Sequence, residues 1–389
     1  MIGKGESGVA RRKRALFLIN SLTGGGAERV MCTLLRHSEP ERAEFDITLA
    51  VLDQEPAGNT PPDWVNVRQF DCRFSLARSV MAVRKLHAEL QPDVSLSFLN
   101  RANWANALGS RAPFVISARA HTSHHLANGL RGAVSRTMVR SLFPRAARII
   151  AVSDGVGQDL VEKFDVPAEK IISIPNPVDV ENIQAKTREA SPVQIDQPFI
   201  MSAGRLVAVK NFTMLIRAFA AAGGEGKLVI AGEGEERGAL EALARDLGVG
   251  DRVILPGYIA NPYPLMAAAD VFILSSDSEG YPNALIEGMA AGRPVISTNC
   301  DSGPSQILAD APRHAIQGVT YAEHGVLVPV DNLDAMAEAI RALRDPTKRE
   351  AYGKKAIARA SAFSASAIKD RYWNVLREAM NAGRSMNAE

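Results

Sequence analysis

Short apolar runs alternate with helix-compatible stretches twice along this chain, and a proline-rich connector divides the two series. In the first series, residues 15–20, 45–52, 93–99, 114–117 and 148–152 read as strands, with helices predicted at 28–37, 76–90 and 154–164. In the second, strands are predicted at 199–203, 227–231, 253–255, 271–274 and 294–297. Helices are predicted at 212–221, 237–247, 264–268, 283–291 and 333–343, with 360–379 closing the chain. Bounded apolar runs of this kind suit parallel sheets buried on both faces, and the intervening helices supply the crossovers that parallel pairing needs. The expected class is therefore α/β, with two doubly wound parallel sheets.

With 389 residues the chain exceeds the size at which one hydrophobic core stops growing, so two domains of roughly 180 residues each are expected. The segment Ile171-Ile172-Ser173-Ile174-Pro175-Asn176-Pro177-Val178-Asp179 is the clearest boundary signal. The expected division is 1–177, 178–364 and a closing helix in 365–389 that packs back towards the first domain, with a cleft between the two domains.

Lys plus Arg is 45 and Asp plus Glu is 43, a formal charge of +2, which argues against nucleic acid as the main partner. Cys32, Cys72 and Cys300 are too far apart for a cysteine-rich zinc site or a disulfide framework, so a reducing cytoplasm fits best. Arg11-Arg12-Lys13-Arg14 followed by an apolar run superficially resembles a secretory signal. The run ends at Asn20 and continues into Gly24-Gly25-Gly26-Ala27-Glu28, as a first strand entering a helix does. No segment reaches the ~18 apolar residues of a membrane span, so any membrane contact is expected to be peripheral. The 11–14 cluster is the candidate for attracting anionic lipid, a solvated terminus being the plainer alternative.

The segment 278–287, Ser-Glu-Gly-Tyr-Pro-Asn-Ala-Leu-Ile-Glu, carries most chemical information. Gly280 and Pro282 break regular structure, which leaves Glu279 on a loop and Glu287 inside the following helix. Free N–H groups around Asn283, Ala284 and Leu285, with the positive end of the helix dipole, make a site for a diphosphate. Carboxylates at both ends can accept hydrogen bonds from sugar and ribose hydroxyls. On spacing alone, Glu279 and Glu287 could equally be surface acids. Arg205 and Lys210, on a loop between a predicted strand and helix, supply two cations that can clamp a diphosphate. The chain has no Asp-x-Asp to hold a magnesium ion, so no metal or other cofactor is expected.

Together these segments resemble family 4 of the retaining glycosyltransferases, which have the GT-B fold of two facing Rossmann-like domains. The resemblance spans nearly the whole chain. It rests on Gly204-Arg205-Leu206 with Lys210-Asn211, Ala231-Gly232-Glu233-Gly234, Pro256-Gly257-Tyr258, Glu279-Gly280 with Pro282, and Glu287-Gly288-Met289-Ala290-Ala291-Gly292 with Pro294-Val295-Ile296. Gly325-Val326-Leu327-Val328 completes the ordered set. The resemblance implies that Arg205 and Lys210 bind the donor diphosphate, Glu287 the ribose and Glu279 the transferred sugar. Backbone after Glu279, from Gly280 through Tyr281, Pro282 and Asn283 to Leu285, would complete the phosphate cradle. Tyr258 and Ile259 would lie at the nucleobase, and Gly25 and Gly26 would let backbone approach the ligand.

The wording Gly25-Gly26-Ala27-Glu28-Arg29 resembles the subset that builds bacterial surface polysaccharides and lipid-linked oligosaccharides. It implies a nucleotide diphosphate sugar donor, expected to be UDP-linked, carrying a hexose or N-acetylhexosamine. The acceptor would be a glycan or lipid-linked glycan. The family's cleft-facing histidine falls on His121 or, by direct counting, on Arg119; His121 is favoured with Arg119 as the rival. His124 and His125 lack the carboxylate partners of a metal pair. Gln306 occupies a position often acidic in relatives.

The expected chemistry is front-face transfer with retention, through an oxocarbenium-like step in which cations and a helix N-terminus stabilise the leaving diphosphate. Two other classes fit parts of the pattern: a nucleotide-sugar 2-epimerase, which needs no acceptor, and a non-catalytic assembly subunit.

Overall fold

The computed structural model describes residues 11–125, 129–196 and 198–386. Residues 1–10 and 387–389, where the expected first domain begins and the expected closing helix ends, lie outside the described residues. The first sheet comprises β1 (Lys13–Ile19), β2 (Phe45–Val51), β3 (Asn66–Gln69), β4 (Val94–Phe98), β5 (Phe114–Ala118), β6 (Arg148–Ala151) and β7 (Ile171–Ser173). The second comprises β8 (Phe199–Ala203), β9 (Lys227–Ala231), β10 (Val253–Gly257), β11 (Val271–Leu274), β12 (Val295–Thr298), β13 (Thr320–Ala322) and β14 (Gly325–Val328). Their orders are β3-β2-β1-β4-β5-β6-β7 and β10-β9-β8-β11-β12-β14-β13. Pairing is parallel except at β13–β14, an antiparallel edge that the expectation of purely parallel sheets did not include.

In both sheets the strand order reverses between two central neighbours, β1 with β4 and β8 with β11. Crossovers leave in opposite directions there, so the carboxyl ends of these strands open a crevice in which ligands settle. The loops carrying Gly24–Gly26, Arg205–Lys210 and Glu279–Pro282 follow β1, β8 and β11 respectively. Topology thus brings three expected ligand loops to the switch points of the two sheets.

The central strands are mostly buried, which is why they read as continuous apolar runs. The edge strand β3, Asn66–Gln69, is exposed or half-buried throughout and has no apolar run, so periodicity missed it. The helix Asn100–Gly109 was missed for a different reason. Its inward positions include Asn103 and Asn106, buried polar groups bonded to the Ser117 carbonyl and to Ser97 Oγ. An amphipathic pattern cannot form when the buried face is itself polar.

The chain crosses between the halves twice at one point. Val178 N–H donates to the Phe363 carbonyl at 2.9 Å and the Ala365 N–H to the Val178 carbonyl at 2.9 Å. That crossing corrects the expected helix at 360–379. A helix at Pro346–Ser361 ends, the chain turns, and a separate helix runs from Ala365 to Met386. The final helix lies on the first sheet: Trp373 and Tyr372 are fully buried, and the Trp373 ring sits 4.7 Å from Phe45 and 5.7 Å from Phe17. Trp373 Nε1–H donates to Ser38 Oγ at 2.8 Å, which satisfies its one polar atom inside the core.

The basic cluster at 11–14 is engaged locally. Arg12 pairs with Asp46 at 2.8 Å, Lys13 with Glu44 at 2.6 Å and Arg11 with Asp93 at 3.4 Å, while Arg14 Nη1 donates to the Leu90 carbonyl at 2.7 Å. These cations tie β1 to its neighbours instead of forming a free positive patch. Among the described residues no helix is long and apolar enough to cross a membrane.

Candidate active site

Lys210 ends a short turn, Ala208–Lys210, that leads through Asn211 into the helix Phe212–Ala222. Asn211 adopts a left-handed conformation at φ 46° and its side chain caps that helix at Met214 N–H, which fixes where Lys210 points. Lys210 Nζ meets Glu279 Oε1 at 2.6 Å, and Ser276 Oγ donates to the same oxygen at 2.7 Å. The carboxylate is therefore held between a cation and a hydroxyl on one of its oxygens. Arg205 lies on the same loop, exposed and without an ion pair among the described residues. The loop sits close to its neighbour because Gly232 and Gly234 lack side chains. A Cβ on Gly232, at φ +154°, would meet the Gly204 carbonyl oxygen at 1.8 Å.

The helix Asn283–Ala290 begins after Pro282, and no side chain caps its N-terminus. This leaves N–H groups to face a ligand, as an anion site requires. Tyr281 and Leu285 are buried, Tyr281 packing edge-on against Phe363, so only their backbone can serve a ligand. Burial pushes the Tyr281 phenol up. Ala284 is half-buried on the same first turn. Glu287 lies one turn further on, buried, with Oε1 2.7 Å from Arg29 of the helix Gly26–His37. Tyr258 is exposed after β10 whereas Ile259 is buried in the core. Tyr263, which sequence reading passed over, lies close to Glu287 and Arg29; burial and then the Glu287 charge push its phenol up.

The glycine loop after β1 comes against this helix. A Cβ on Gly26 would lie 3.4 Å from Asn283 Nδ2, and one on Gly25 would collide with the Glu28 carboxylate at 2.2 Å. Gly280 is hemmed in likewise: a Cβ there would be 2.2 Å from the Arg119 carbonyl oxygen. Across the same junction Ser153 Oγ donates to the Gly280 carbonyl at 3.0 Å. Glycine at 280 is thus what allows the loop after β11 to press against the first half.

Arg119 and His121 occupy different settings. Arg119 stacks 4.4 Å over the Phe98 ring and donates to Ser117 Oγ, to Tyr372 Oη at 3.3 Å and to Asn176 Oδ1. Asn176 in turn donates to Asn283 Oδ1 at 2.6 Å. Both terminal nitrogens of the guanidinium are engaged, and through Tyr372 and Asn176 they join the final helix to the inter-domain connector. His121 is buried, with Nε2 3.2 Å from Ser302 Oγ and Nδ1 4.0 Å from Asp159. Ser302 Oγ also lies 2.9 Å from the Glu279 carbonyl oxygen; donating there, it accepts from the His121 Nε2–H. Burial raises the Asp159 carboxyl, but hydrogen bonds from the Ser123 N–H and Oγ, with the His121 ring nearby, outweigh it and hold the group below its usual range.

A cavity of about 880 Å³ opens beside His121, lined by His124, Asp159, Asp301, Ser302 and Arg313 among others. Arg205, Lys210, Glu279 and Glu287 do not line it. Asp159 and Tyr263 were not singled out from sequence. Gln306, noted as a departure, donates to Asp154 across the junction. His124 pairs with Asp301 at 3.6 Å; the His125 side chain lies outside the described residues. Among the described residues no cluster of three or more His, Cys, Asp or Glu side chains is arranged to hold a metal ion.

Residues 24–182 match the model of Glycosyltransferase Family 4, and residues 183–359 that of Glycosyl transferases group 1. A Campylobacter jejuni enzyme, N-acetylgalactosamine-N,N'-diacetylbacillosaminyl-diphospho-undecaprenol 4-alpha-N-acetylgalactosaminyltransferase, is 32% identical over 361 residues. The alignment covers 89% of this chain and 94% of that enzyme. This chain belongs to glycosyltransferase family 4. It is a glycosyltransferase of a retaining hexosyltransferase family. The lipopolysaccharide core biosynthesis glycosyltransferase LpsE of Rhizobium meliloti is 36% identical over 183 residues, 46% of this chain and 50% of that enzyme. Among solved structures, Anabaena HepE in complex with UDP superposes with a TM-score of 0.75 at 20% identity, covering 94% of this chain and 99% of that one. Sucrose-phosphate synthase of Thermosynechococcus elongatus gives 0.77 at 19% identity, covering 96% and 100%. These likenesses give this glycosyltransferase the GT-B fold.

Proposed function

We propose that this enzyme transfers a hexose or N-acetylhexosamine from a UDP-linked donor to a lipid-linked glycan, with retention and without a metal. The observation that carries the donor assignment is the Lys210–Glu279 pair at 2.6 Å beside the uncapped N-terminus of the helix Asn283–Ala290. Cation, backbone donors and a sugar-binding carboxylate then surround the bond that breaks. Residues 1–177 with the final helix form the acceptor half, and 178–364 the donor half.

Arg205 and Lys210 hold the diphosphate together with the N–H groups of 283–285, while Glu287 accepts from the ribose and Glu279 from the transferred sugar. Tyr258 and Ile259 border the nucleobase, and Gly25 and Gly26 admit the ligand's close approach. As the glycosidic bond to phosphate lengthens, negative charge grows on the leaving oxygen, where fixed positive groups stabilise it most. The acceptor hydroxyl attacks from the face that the phosphate leaves and gives its proton to the departing phosphate oxygen. His121, held by Ser302 with Asp159 nearby, borders that point; Arg119, just beyond β5, braces the connector through Asn176. The acceptor class follows from the likeness to the Campylobacter jejuni enzyme, whose own acceptor is a diphospho-undecaprenol glycan. Binding at the membrane is then peripheral, on its cytoplasmic face.

The test is incubation with labelled UDP-sugars and undecaprenyl-diphosphate glycans in the presence of EDTA, with the product anomer read by NMR. Retained configuration is expected. An inverted anomer, or transfer that stops with EDTA and returns with magnesium, refutes the mechanism.

A further inference from the structure

The mechanism above gives no role to Arg29, and its position is unusual for a surface cation. It stands in the first turns of the helix that follows the glycine loop, in the first half, yet its guanidinium reaches Glu287 of the second half at 2.7 Å. Its side chain is 46% exposed, whereas that of Glu287 is only 9% exposed. Tyr263 and Tyr258 are the other titratable groups near the pair. A nearly buried carboxylate without a cation beside it is costly and turns away or takes a proton. An ionised one, held by a single oxygen, keeps its second oxygen to accept hydroxyl groups with charge-assisted strength.

We infer that Arg29 is a positioning residue for the donor: reaching from the acceptor half, it holds the Glu287 carboxylate in place, aimed at the ribose hydroxyls. Ribose recognition is thereby tied to the approach of the two halves. The glycine loop that precedes Arg29 serves the same end, since a Cβ on Gly26 would lie 3.4 Å from Asn283 Nδ2 on the Glu287 helix, a closeness that glycine allows. The inference rests on the reading of Glu287 as the ribose ligand.

Calorimetric binding of UDP and of 2′,3′-dideoxy-UDP to the full-length wild type, Arg29→Ala and Arg29→Lys separates the two claims. For wild type, UDP binds more tightly than the dideoxy analogue. In Arg29→Ala, Kd for UDP rises about tenfold, the loss of the ion-pair partner that holds Glu287 in place, while Kd for the dideoxy analogue stays within about twofold. Arg29→Lys recovers most of the UDP affinity. Equal loss for both nucleotides in Arg29→Ala, or no loss for either, overturns the inference while leaving Glu287 as the ribose ligand. Equal wild-type affinity for the two nucleotides instead overturns the reading of Glu287 itself. A general disturbance of the fold would weaken both nucleotides alike, which counts against the inference.

Discussion

On the proposed donor side of the cleft, Lys210 and Glu279 lie on the loops after two neighbouring central strands of one sheet, β8 and β11, and meet there. On the acceptor side, His121 takes its surroundings from Asp159, on the helix after β6, and from Ser302, after β12 in the other half. The first arrangement is fixed by strand order and loop length. The second exists only when the two halves are together. Function placed at a switch point is therefore less sensitive to domain approach than function assembled across the junction.

Lys210→Ala is the largest test of this contrast. Removing a preorganised charge at a developing oxyanion is expected to lower kcat/KM by about 10²–10³-fold. Steady-state kinetics with thermal melts checks it, and an unchanged rate would remove the donor side from the comparison. His121→Ala is expected to lower kcat by about 10²-fold, within the range for a residue placed beside the reacting groups. Arg119→Ala is the paired control: denaturant titration should show a loss of about 1–3 kcal/mol from unsatisfied partners at Asn176 and Tyr372, with kcat nearly intact. A dead but fully stable Arg119→Ala enzyme would reverse the two assignments.

The smallest effect concerns Asp159. Its folded-state pKa lies below its unfolded value of about 3.9, so it contributes stability above that pH and loses it as pH falls through the folded value. Asp159→Asn should therefore cost about 1 kcal/mol near neutrality, the worth of a typical buried hydrogen bond, and the gap should close on acidification. A gap that widens towards acid would mean that Asp159 is not held ionised by His121 and Ser123.

These contrasts also explain what was legible in the sequence. Buried parallel strands are continuous apolar runs, and the break at Gly280 and Pro282 reveals an uncapped helix start, so the sheets and the loops at 204–211 and 279–282 could be placed directly. The antiparallel edge at β13–β14 and the exposed strand β3 carry no comparable signal. Nor could periodicity show the polar buried face of Asn100–Gly109, or the turn between Ser361 and Ala365 that returns the chain to the first half. The choice between Arg119 and His121 stayed open because both lie just beyond the same strand, β5. Distant partners separate them: Asn176 and Tyr372 engage the guanidinium, and Ser302 the imidazole. Arg29 was visible as part of a glycine-loop motif, but its partner lies 258 positions away in the other half.

A crystal structure of the protein with UDP tests the central claim most directly. The account expects the diphosphate within hydrogen-bonding distance of Lys210 Nζ and the N–H groups at 283–285, with the ribose at Glu287. Diphosphate lodged instead in the cavity beside Asp301 and Arg313, with Lys210 still closed on Glu279, would contradict it.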